Sequence, residues 1–472
     1  MNRQKELAKN TIILTVGKIC TQFVSFLLLP LYTALLVPEE FGIVDLFNTY
    51  ITLLTPICNW QFENGLFRFM IDERNDFEGQ KKLFSTVFLT NIIQAGGYLL
   101  LFAAFQGFIH SEYKIFLALD VALNIFLNTL LQFPRGLGKN GIYSIGSFVS
   151  AIATVILNII FIAVLRWGAF GMFIATMIGK IITILYLFVA MRTWRFISFR
   201  AADRTVFKDV SKYSLPLVPN QLSWWVIGAS DRTVVSHYIS VAANGIYSVA
   251  NKFSTVFVTF YNIFNLSWTE SVSLHMDDDD RDDFLTDIIN TMFNLFAAVD
   301  IGIIACMPFL FWFGFINAQY DEAYYQIPIL MIAVLFQVVV GLYSVIYVAL
   351  KKSKEIAKTS LMAAIINLSV DLLLIKLIGL YAASISTLVA YAAMAIYRYF
   401  DVKKYVNVCF KVKNILITVG IAALTIGIYY TRNIYGCGIV LAIVVAYSVL
   451  INKTFLLSTL RSVAGKIKAL RK

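Results

Sequence analysis

Residues 215–254 read LPLVPNQLSWWVIGASDRTVVSHYISVAANGIYSVANKFS, which is two apolar helical runs joined by a very short turn. Helices of about 20 apolar residues are long enough to cross a bilayer. The first run nevertheless carries two adjacent charges, Asp231 and Arg232, where an unpaired charge is costly. A helix that tolerates them must turn that surface towards protein or water. The surroundings of this charge pair therefore bear directly on function.

Similar apolar runs recur along the chain. Of its 472 residues, 59% are hydrophobic and 14% are charged, and the mean hydropathy is +0.76. This pattern predicts an all-α, polytopic membrane protein. The apolar run nearest the N-terminus, at 11–36, contains Lys18 and is too long for the apolar core of a cleavable signal peptide. We predict about fourteen transmembrane helices, at 11–36, 41–62, 83–108, 115–133, 142–165, 169–190, 215–238, 245–268, 288–313, 327–349, 358–378, 380–398, 413–430 and 435–457.

The distribution of Lys and Arg predicts the topology. An even number of spans puts both termini on one side, and almost all basic residues outside the spans fall on that side. We therefore predict that both termini are cytoplasmic. Topology then explains the net charge of +11 without a nucleic-acid partner. The four basic residues in the outer loops or at the span ends beside them are Lys114, Arg166, Lys376 and Arg432.

Two function classes are disfavoured by what the sequence lacks. The five cysteines and three histidines have no metal-ligand spacing, so we expect no metal site and no cofactor. The outer loops are short, which argues against an external catalytic domain, and no nucleotide-binding motif is present. We therefore expect a transporter and not an enzyme.

The sequence also repeats itself. The second span aligns without a gap on the eighth, and a weaker echo pairs Asn158 with Asn367 before the glycines Gly168 and Gly379. The repeat preserves direction, so its pseudo-twofold axis should lie along the membrane normal, with two six-helix lobes around a cleft. We assign 1–192 to an N-lobe, 193–214 to a cytoplasmic amphipathic linker, 215–400 to a C-lobe, and 401–472 to the last two spans and a basic tail. The aligned pairs are Gly42 with Gly245, Ile43 with Ile246, Asn48 with Asn251, Thr52 with Thr255, and Asn59 with Asn262.

Polar residues recur at steps of three or four on the opening spans of both lobes, which places them on one helix face. Hydrogen bonding between helices would explain any single residue, whereas a shared aqueous cavity explains all the stripes together. Candidate cavity residues are Gln22, Asn48, Thr52, Asn59, Asn251 and Asn262.

Four cations lie well inside spans, away from the span ends, and could form a ladder along the cavity: Lys18, Lys180, Arg232 and Lys252. Arg232 is the strongest candidate for phosphate binding, because a guanidinium binds phosphate oxygens with two parallel hydrogen bonds. Pairing with an intramembrane acid is an equally good explanation for any one cation. The available acids are Asp45, Asp120, Asp231, Asp300 and Asp371, of which Asp45 and Asp231 are candidates for coupling to H⁺ or Na⁺.

The charged helix, the short turn and the run GIYSVANK at 245–252 resemble Wzx-type polysaccharide flippases of the multidrug/oligosaccharidyl-lipid/polysaccharide (MOP) superfamily. The stretch LPLYTALLVPEEFGIVDLFNTY at 29–50 resembles the corresponding region of their first lobe. The resemblance implies a flippase in the bacterial cytoplasmic membrane. It would move undecaprenyl-diphosphate-linked oligosaccharides from the inner to the outer leaflet by alternating access, for O-antigen, capsule or exopolysaccharide. Membrane lipids and polysaccharide polymerase or export proteins would be its partners.

Two other transport functions fit the same fold. A multidrug/cation antiporter would favour an acidic cavity, which Lys18 and Arg232 argue against. A flippase for the peptidoglycan precursor lipid II would use similar cations, so the sequence leaves that alternative open.

Overall fold

The computed structural model describes residues 26–276, 278–350 and 352–457, and these are helical with no strand. The sixteen α-helices described are α1 (Leu29–Leu35), α2 (Pro38–Asn59), α3 (Phe62–Asp72), α4 (Phe77–Phe105), α5 (Lys114–Gly136), α6 (Asn140–Asn158), α7 (Gly168–Ala190), α8 (Arg204–Ser214), α9 (Leu217–Tyr238), α10 (Val241–His275), α11 (Arg281–Trp312), α12 (Ala323–Ala349), α13 (Ser353–Ile378), α14 (Tyr381–Val402), α15 (Val412–Tyr430) and α16 (Ile434–Ile451).

The helices confirm the predicted all-α polytopic fold. Among the described residues, ten helical segments are long and apolar enough to cross a membrane. Three further helices, α9, α10 and α14, coincide with predicted spans but are more polar than those ten. The predicted span 11–36 lies mostly outside the described residues. The helices α9 and α10 have a lower hydropathy because residues 215–254 include charged and amide side chains.

The chain divides into two compact units, Met1–Gly245 and Ile246–Lys472. In the first unit, one hydrophobic cluster centres on Phe62, Phe84 and Phe133, and a second centres on Phe47 and Phe173. The first unit includes α9 because α9 packs on α2. The division therefore follows helix packing, and the lobe boundaries drawn from the repeat stay a prediction.

In the second unit, a fully buried arginine joins three helices. Arg398 of α14 donates to the Val340 carbonyl of α12 at 3.1 Å and to Thr359 Oγ1 of α13 at 2.7 Å. The neighbouring Asp401 accepts a hydrogen bond from the Tyr347 hydroxyl at 2.7 Å and pairs with Lys404. The rigid, five-donor guanidinium thus ties together the helices that its own helix packs against.

The weaker sequence echo has a structural counterpart. Gly168 begins α7 and Gly379 precedes α14, and both glycines have a left-handed φ, of 56° and 57° respectively. Such a φ is easily reached only without a Cβ atom. Asn158 and Asn367, which pair in the same echo, are both fully buried. The repeat therefore extends to backbone conformation.

The strongest repeat pair meets face to face in the first unit. A Cβ atom on Gly42 would collide with the Val241 carbonyl oxygen, and one on Gly245 would collide with the Pro38 carbonyl oxygen. These two contacts exchange under the alignment that equates Gly42 with Gly245, as a local twofold axis requires. Asn244 Nδ2 also donates to the Gly42 carbonyl at 2.9 Å. The absence of side chains at both positions lets α2 and the start of α10 approach closely.

We predict that Gly42→Ala will separate α2 from the start of α10, because the added methyl group meets backbone and not a movable side chain. Spin labels at the exposed positions 39 and 240 would measure the separation by electron–electron distance. Gly97→Ala on α4 is the matched control, since nothing lies within 4 Å of its Cβ position. An unchanged distance distribution in Gly42→Ala would contradict the close contact.

Candidate functional site

The charge pair at 231–232 lies where α9 packs on α2. Arg232 Nε is 2.9 Å from Asp45 Oδ2, and its Nη1 donates to the Gly228 carbonyl at 2.8 Å. The Asp45 and Arg232 side chains are only 15% and 14% exposed. Asp231 Oδ1 lies 3.9 Å from Arg232 Nη1 and accepts a hydrogen bond from the Arg232 backbone N–H. The close partner of Arg232 is therefore Asp45 on another helix, and this pairing reduces the cost of its charge.

A second bond joins the same helices. The indole N–H of Trp225 donates to the Thr49 carbonyl at 3.0 Å. Thr49 Oγ1 in turn donates to the Asp45 carbonyl, four residues earlier. The ion pair and the indole bond lie about one helical turn apart on α2. Together they fix the rotation of α9 against α2, so that Arg232 presents its guanidinium to Asp45.

The polar stripe of α2 divides into two parts. Asn48 and Thr52 are exposed, one and two turns after Asp45. Asn59 is fully buried and donates to Glu63 Oε2 at 2.7 Å. Asn48 is thus open to a ligand or water, whereas Asn59 is engaged within the protein. The Thr52 hydroxyl donates to the Thr49 carbonyl at 2.8 Å, so it can only accept a further hydrogen bond. Their assignment to a substrate cavity stays a prediction.

The corresponding residues of α10 are also mixed in exposure. Asn262 is exposed, and Asn251 and Lys252 are half-buried. Asn251 Nδ2 is buried, and no hydrogen-bond acceptor for it lies among the described residues. Buried amides of this kind are normally hydrogen-bonded. Lys18 and Gln22 lie outside the described residues, so the predicted ladder is only partly represented here.

Lys180 is engaged by an acid inside the first unit. Its Nζ on α7 lies 2.7 Å from both carboxylate oxygens of Asp120 on α5. The two side chains are 14% and 6% exposed. A diphosphate would have to displace Asp120 to reach Lys180 in this conformation. The sequence allowed two explanations for a cation at this position, pairing with an acid or binding of substrate. The structure has the pairing, and a role in substrate binding stays a prediction.

Sequence reasoning missed Glu63, at the start of α3 beyond the predicted second span. Its side chain is 8% exposed and receives the Asn59 bond, and burial raises its pKa to about 7. Trp60 and Gln61, between α2 and α3, both have a left-handed φ, which costs energy in residues other than glycine. The sequence does not indicate that the helix is interrupted at Trp60 and Gln61. The only available signal for this residue was a glutamate directly after an apolar span.

We predict that Lys180→Met destabilises the protein by roughly 3–5 kcal/mol, because Asp120 is then left buried without its cation. Adding Asp120→Asn should recover most of that loss. The unfolding midpoints of both variants in detergent would measure the effect. Arg68→Gln is the control, since its pair with Asp72 is 48% and 57% exposed and should contribute about 1 kcal/mol or less. If the double variant were as unstable as Lys180→Met, the loss could not come from an unpaired Asp120, and the explanation would be refuted.

The raised pKa of Glu63 predicts a pH-dependent stability. An unfolded glutamate has a pKa of about 4.3, so the folded protein binds an extra proton between that value and about 7. Its contribution is complete below the unfolded pKa and is lost as pH rises through about 7. Glu63→Gln, a mimic of the protonated form, should lessen the fall in unfolding midpoint between about pH 5 and pH 8. The exposed Glu78→Gln should leave that fall unchanged.

Comparisons with solved structures agree on the fold. The structure resembles the lipid II flippase MurJ in an inward closed conformation, with a TM-score of 0.72, 17% identity, and coverage of 96% of this chain and 100% of that one. It resembles an inward-facing multidrug resistance MATE transporter of the MOP superfamily, with a TM-score of 0.67, 14% identity, and coverage of 82% and 96%. A MOP superfamily transporter from Pyrococcus furiosus matches with a TM-score of 0.56, 13% identity, and coverage of 84% and 96%.

A comparison with curated proteins finds no significant match. The family model described as "Polysaccharide biosynthesis protein" matches residues 7–269, which is more than half of the chain. This match and the transporter fold confirm the predicted kinship with polysaccharide flippases of the MOP superfamily. They also agree with the expectation of a transporter and not an enzyme. The chain belongs to the polysaccharide biosynthesis protein family and has the fold of MOP transporters.

Proposed function

We propose that this protein is a flippase that moves undecaprenyl-diphosphate-linked oligosaccharide repeat units from the inner to the outer leaflet of the bacterial cytoplasmic membrane. The product would feed O-antigen, capsule or exopolysaccharide assembly. The observation that carries the proposal is the Arg232–Asp45 pair, a cation held at membrane depth beside exposed polar residues, in a chain of a polysaccharide biosynthesis family. A guanidinium with this neighbourhood is suited to a diphosphate.

In the proposed mechanism, the headgroup enters a cavity that opens to the cytoplasm while the polyprenyl tail stays in lipid. Lys18 captures the diphosphate first, and Arg232 receives it later, with Asp45 as the partner that it exchanges for phosphate. Asn48 donates to sugar hydroxyls, and Thr52 Oγ1, whose own proton is donated to the Thr49 carbonyl, accepts from them. Lys180, Lys252, Asn251 and Asn262 line the same route, and both chain termini stay in the cytoplasm.

The membrane potential favours this direction of transport. Moving one charge across 100 mV is worth roughly 2.3 kcal/mol, so a headgroup with about two negative charges gains roughly 4–5 kcal/mol on moving outward. Inward movement of H⁺ or Na⁺, with Asp45 or Asp231 as the coupling acid, would add to this driving force.

The aromatic residues of 215–254 contribute unequally to this proposal. Tyr247 is fully buried and therefore has no face open to a sugar ring in this conformation. Trp225 is half-buried, and its N–H is bonded to Thr49. Trp224, which is also half-buried, is the better candidate for stacking on a sugar.

We predict that Arg232→Gln lowers flipping of a fluorescent undecaprenyl-diphosphate oligosaccharide in proteoliposomes by at least about tenfold, the worth of one lost charge-assisted bond. Arg232→Lys should retain part of the rate, because an ammonium lacks the two-pronged geometry. A membrane-impermeant chemical reductant destroys the fluorescence of label in the outer leaflet only, and the rate of fluorescence loss would measure the flipping rate. Arg166→Gln, which removes an exposed loop charge, is the control.

Asp45→Asn separates two roles of Arg232. The two variants are compared without an H⁺ or Na⁺ gradient, so that loss of ion coupling does not enter. If Arg232 only pairs with Asp45, Asp45→Asn and Arg232→Gln should lose the same activity. If Arg232 binds the diphosphate, Asp45→Asn should keep more activity than Arg232→Gln. Wild-type activity in Arg232→Gln would refute the proposal. Two further assays test the alternatives: resistance to cationic drugs for an antiporter, and rescue of cells that lack their lipid II flippase for a peptidoglycan role.

A further inference from the structure

The segment between α7 and α8 presents arginines and aromatic rings on its surface. Trp194 is 50% exposed and Phe199 is 79% exposed. Four arginines within the same thirteen residues are exposed as well, and no ion pair or hydrogen bond to the described residues engages their guanidinium groups. These six residues, which we name the linker surface, are Arg192, Trp194, Arg195, Phe199, Arg200 and Arg204.

Buried bonds hold this segment in a fixed shape. Ser85 Oγ of α4 donates to the Phe196 carbonyl at 2.6 Å and accepts from the Ser198 backbone N–H at 3.0 Å. The Phe196 ring is buried, 4.9 Å from the Phe133 ring. The rings of Trp194 and Phe199 therefore project outward from a docked segment and not from a free loop.

A second anchor lies at the start of α8. Asp203 caps that helix by accepting from the backbone N–H groups of Thr205 and Val206, and it pairs with Lys82 of α4 at 2.9 Å. These bonds lower the pKa of the Asp203 carboxyl, so the anchor is intact at neutral pH. Its backbone N–H donates to Thr86 Oγ1.

The anchors also give the depth of the segment. Lys82, Ser85 and Thr86 lie at the beginning of α4's predicted span, 83–108, where the helix leaves the headgroup region for the hydrocarbon. The linker surface is therefore held at interfacial depth. Aromatic rings are favoured at this depth, and arginines near it are attracted to anionic lipid.

We propose that the linker surface binds the headgroups of anionic phospholipids, with Trp194 and Phe199 inserted beside them at the membrane interface. Charge complementarity favours this occupant, because four unpaired cations lie within the same thirteen residues as two exposed rings. The proposal is independent of the transported substrate.

The test uses the full-length protein in phosphatidylcholine nanodiscs that contain increasing fractions of phosphatidylglycerol with brominated acyl chains. Bromine quenches nearby indoles, and subtraction of the Trp194→Phe signal isolates Trp194 from the other tryptophans. We expect quenching at lower fractions of brominated phosphatidylglycerol than of brominated phosphatidylcholine. Arg195→Gln/Arg200→Gln should raise the half-quenching fraction, by roughly fivefold for each arginine that contacts the leaflet.

Lys114→Gln/Arg166→Gln removes the same charge from loops predicted on the other side and should behave as wild type. Equal quenching by both lipids, or an unchanged fraction in the arginine variant, would overturn the proposal. So would a preference seen only after undecaprenyl diphosphate is added, which would make the surface a substrate site. No outcome depends on transport, so failure of the flippase proposal would leave this one intact.

Discussion

A charged side chain inside a membrane protein must find a partner, and this constraint explains how the helices of the first unit are held. Arg232 pairs with Asp45 across α9 and α2, and Lys180 pairs with Asp120 across α7 and α5. Each pair joins helices far apart in sequence. The second unit meets the same constraint differently, since Arg398 uses carbonyls and hydroxyls on two helices. Polar contacts thus specify which apolar helices meet and in which rotation.

Much of the fold could be predicted because hydropathy is a strong signal. Apolar length located the helices, and one gapless alignment found the glycine pair whose contact the structure shows. The ends of the helices were harder to predict. The helix α10 runs to His275, beyond its predicted end, and α11 begins at Arg281. Helical turns that extend into water carry polar residues, so hydropathy does not detect them.

Partners within the candidate site were less predictable, because they depend on three-dimensional packing. Arg232 and Asp45 were both singled out, yet no periodicity relates residues on separate helices. Asp231, the next residue in sequence, was one of the available acids, and its carboxylate lies 3.9 Å from Arg232 Nη1, farther than Asp45 lies from Nε. Residues i and i+1 point in different directions on a helix, which keeps this pair looser. Glu63 was missed because its burial comes from tertiary packing. Individual polar residues were therefore recognised more readily than the contacts between them.

The glycine contact has a consequence for how such a protein can diversify. In a symmetric dimer of half-length chains, a substitution near the axis would occur twice and face its own copy. In a single fused chain, each side can change alone. At the positions aligned with Asp45 and Arg232 stand Ser248 and Leu29, so the ion pair occurs on one side only. The fused chain thus combines a symmetric backbone contact with an asymmetric charge distribution around it.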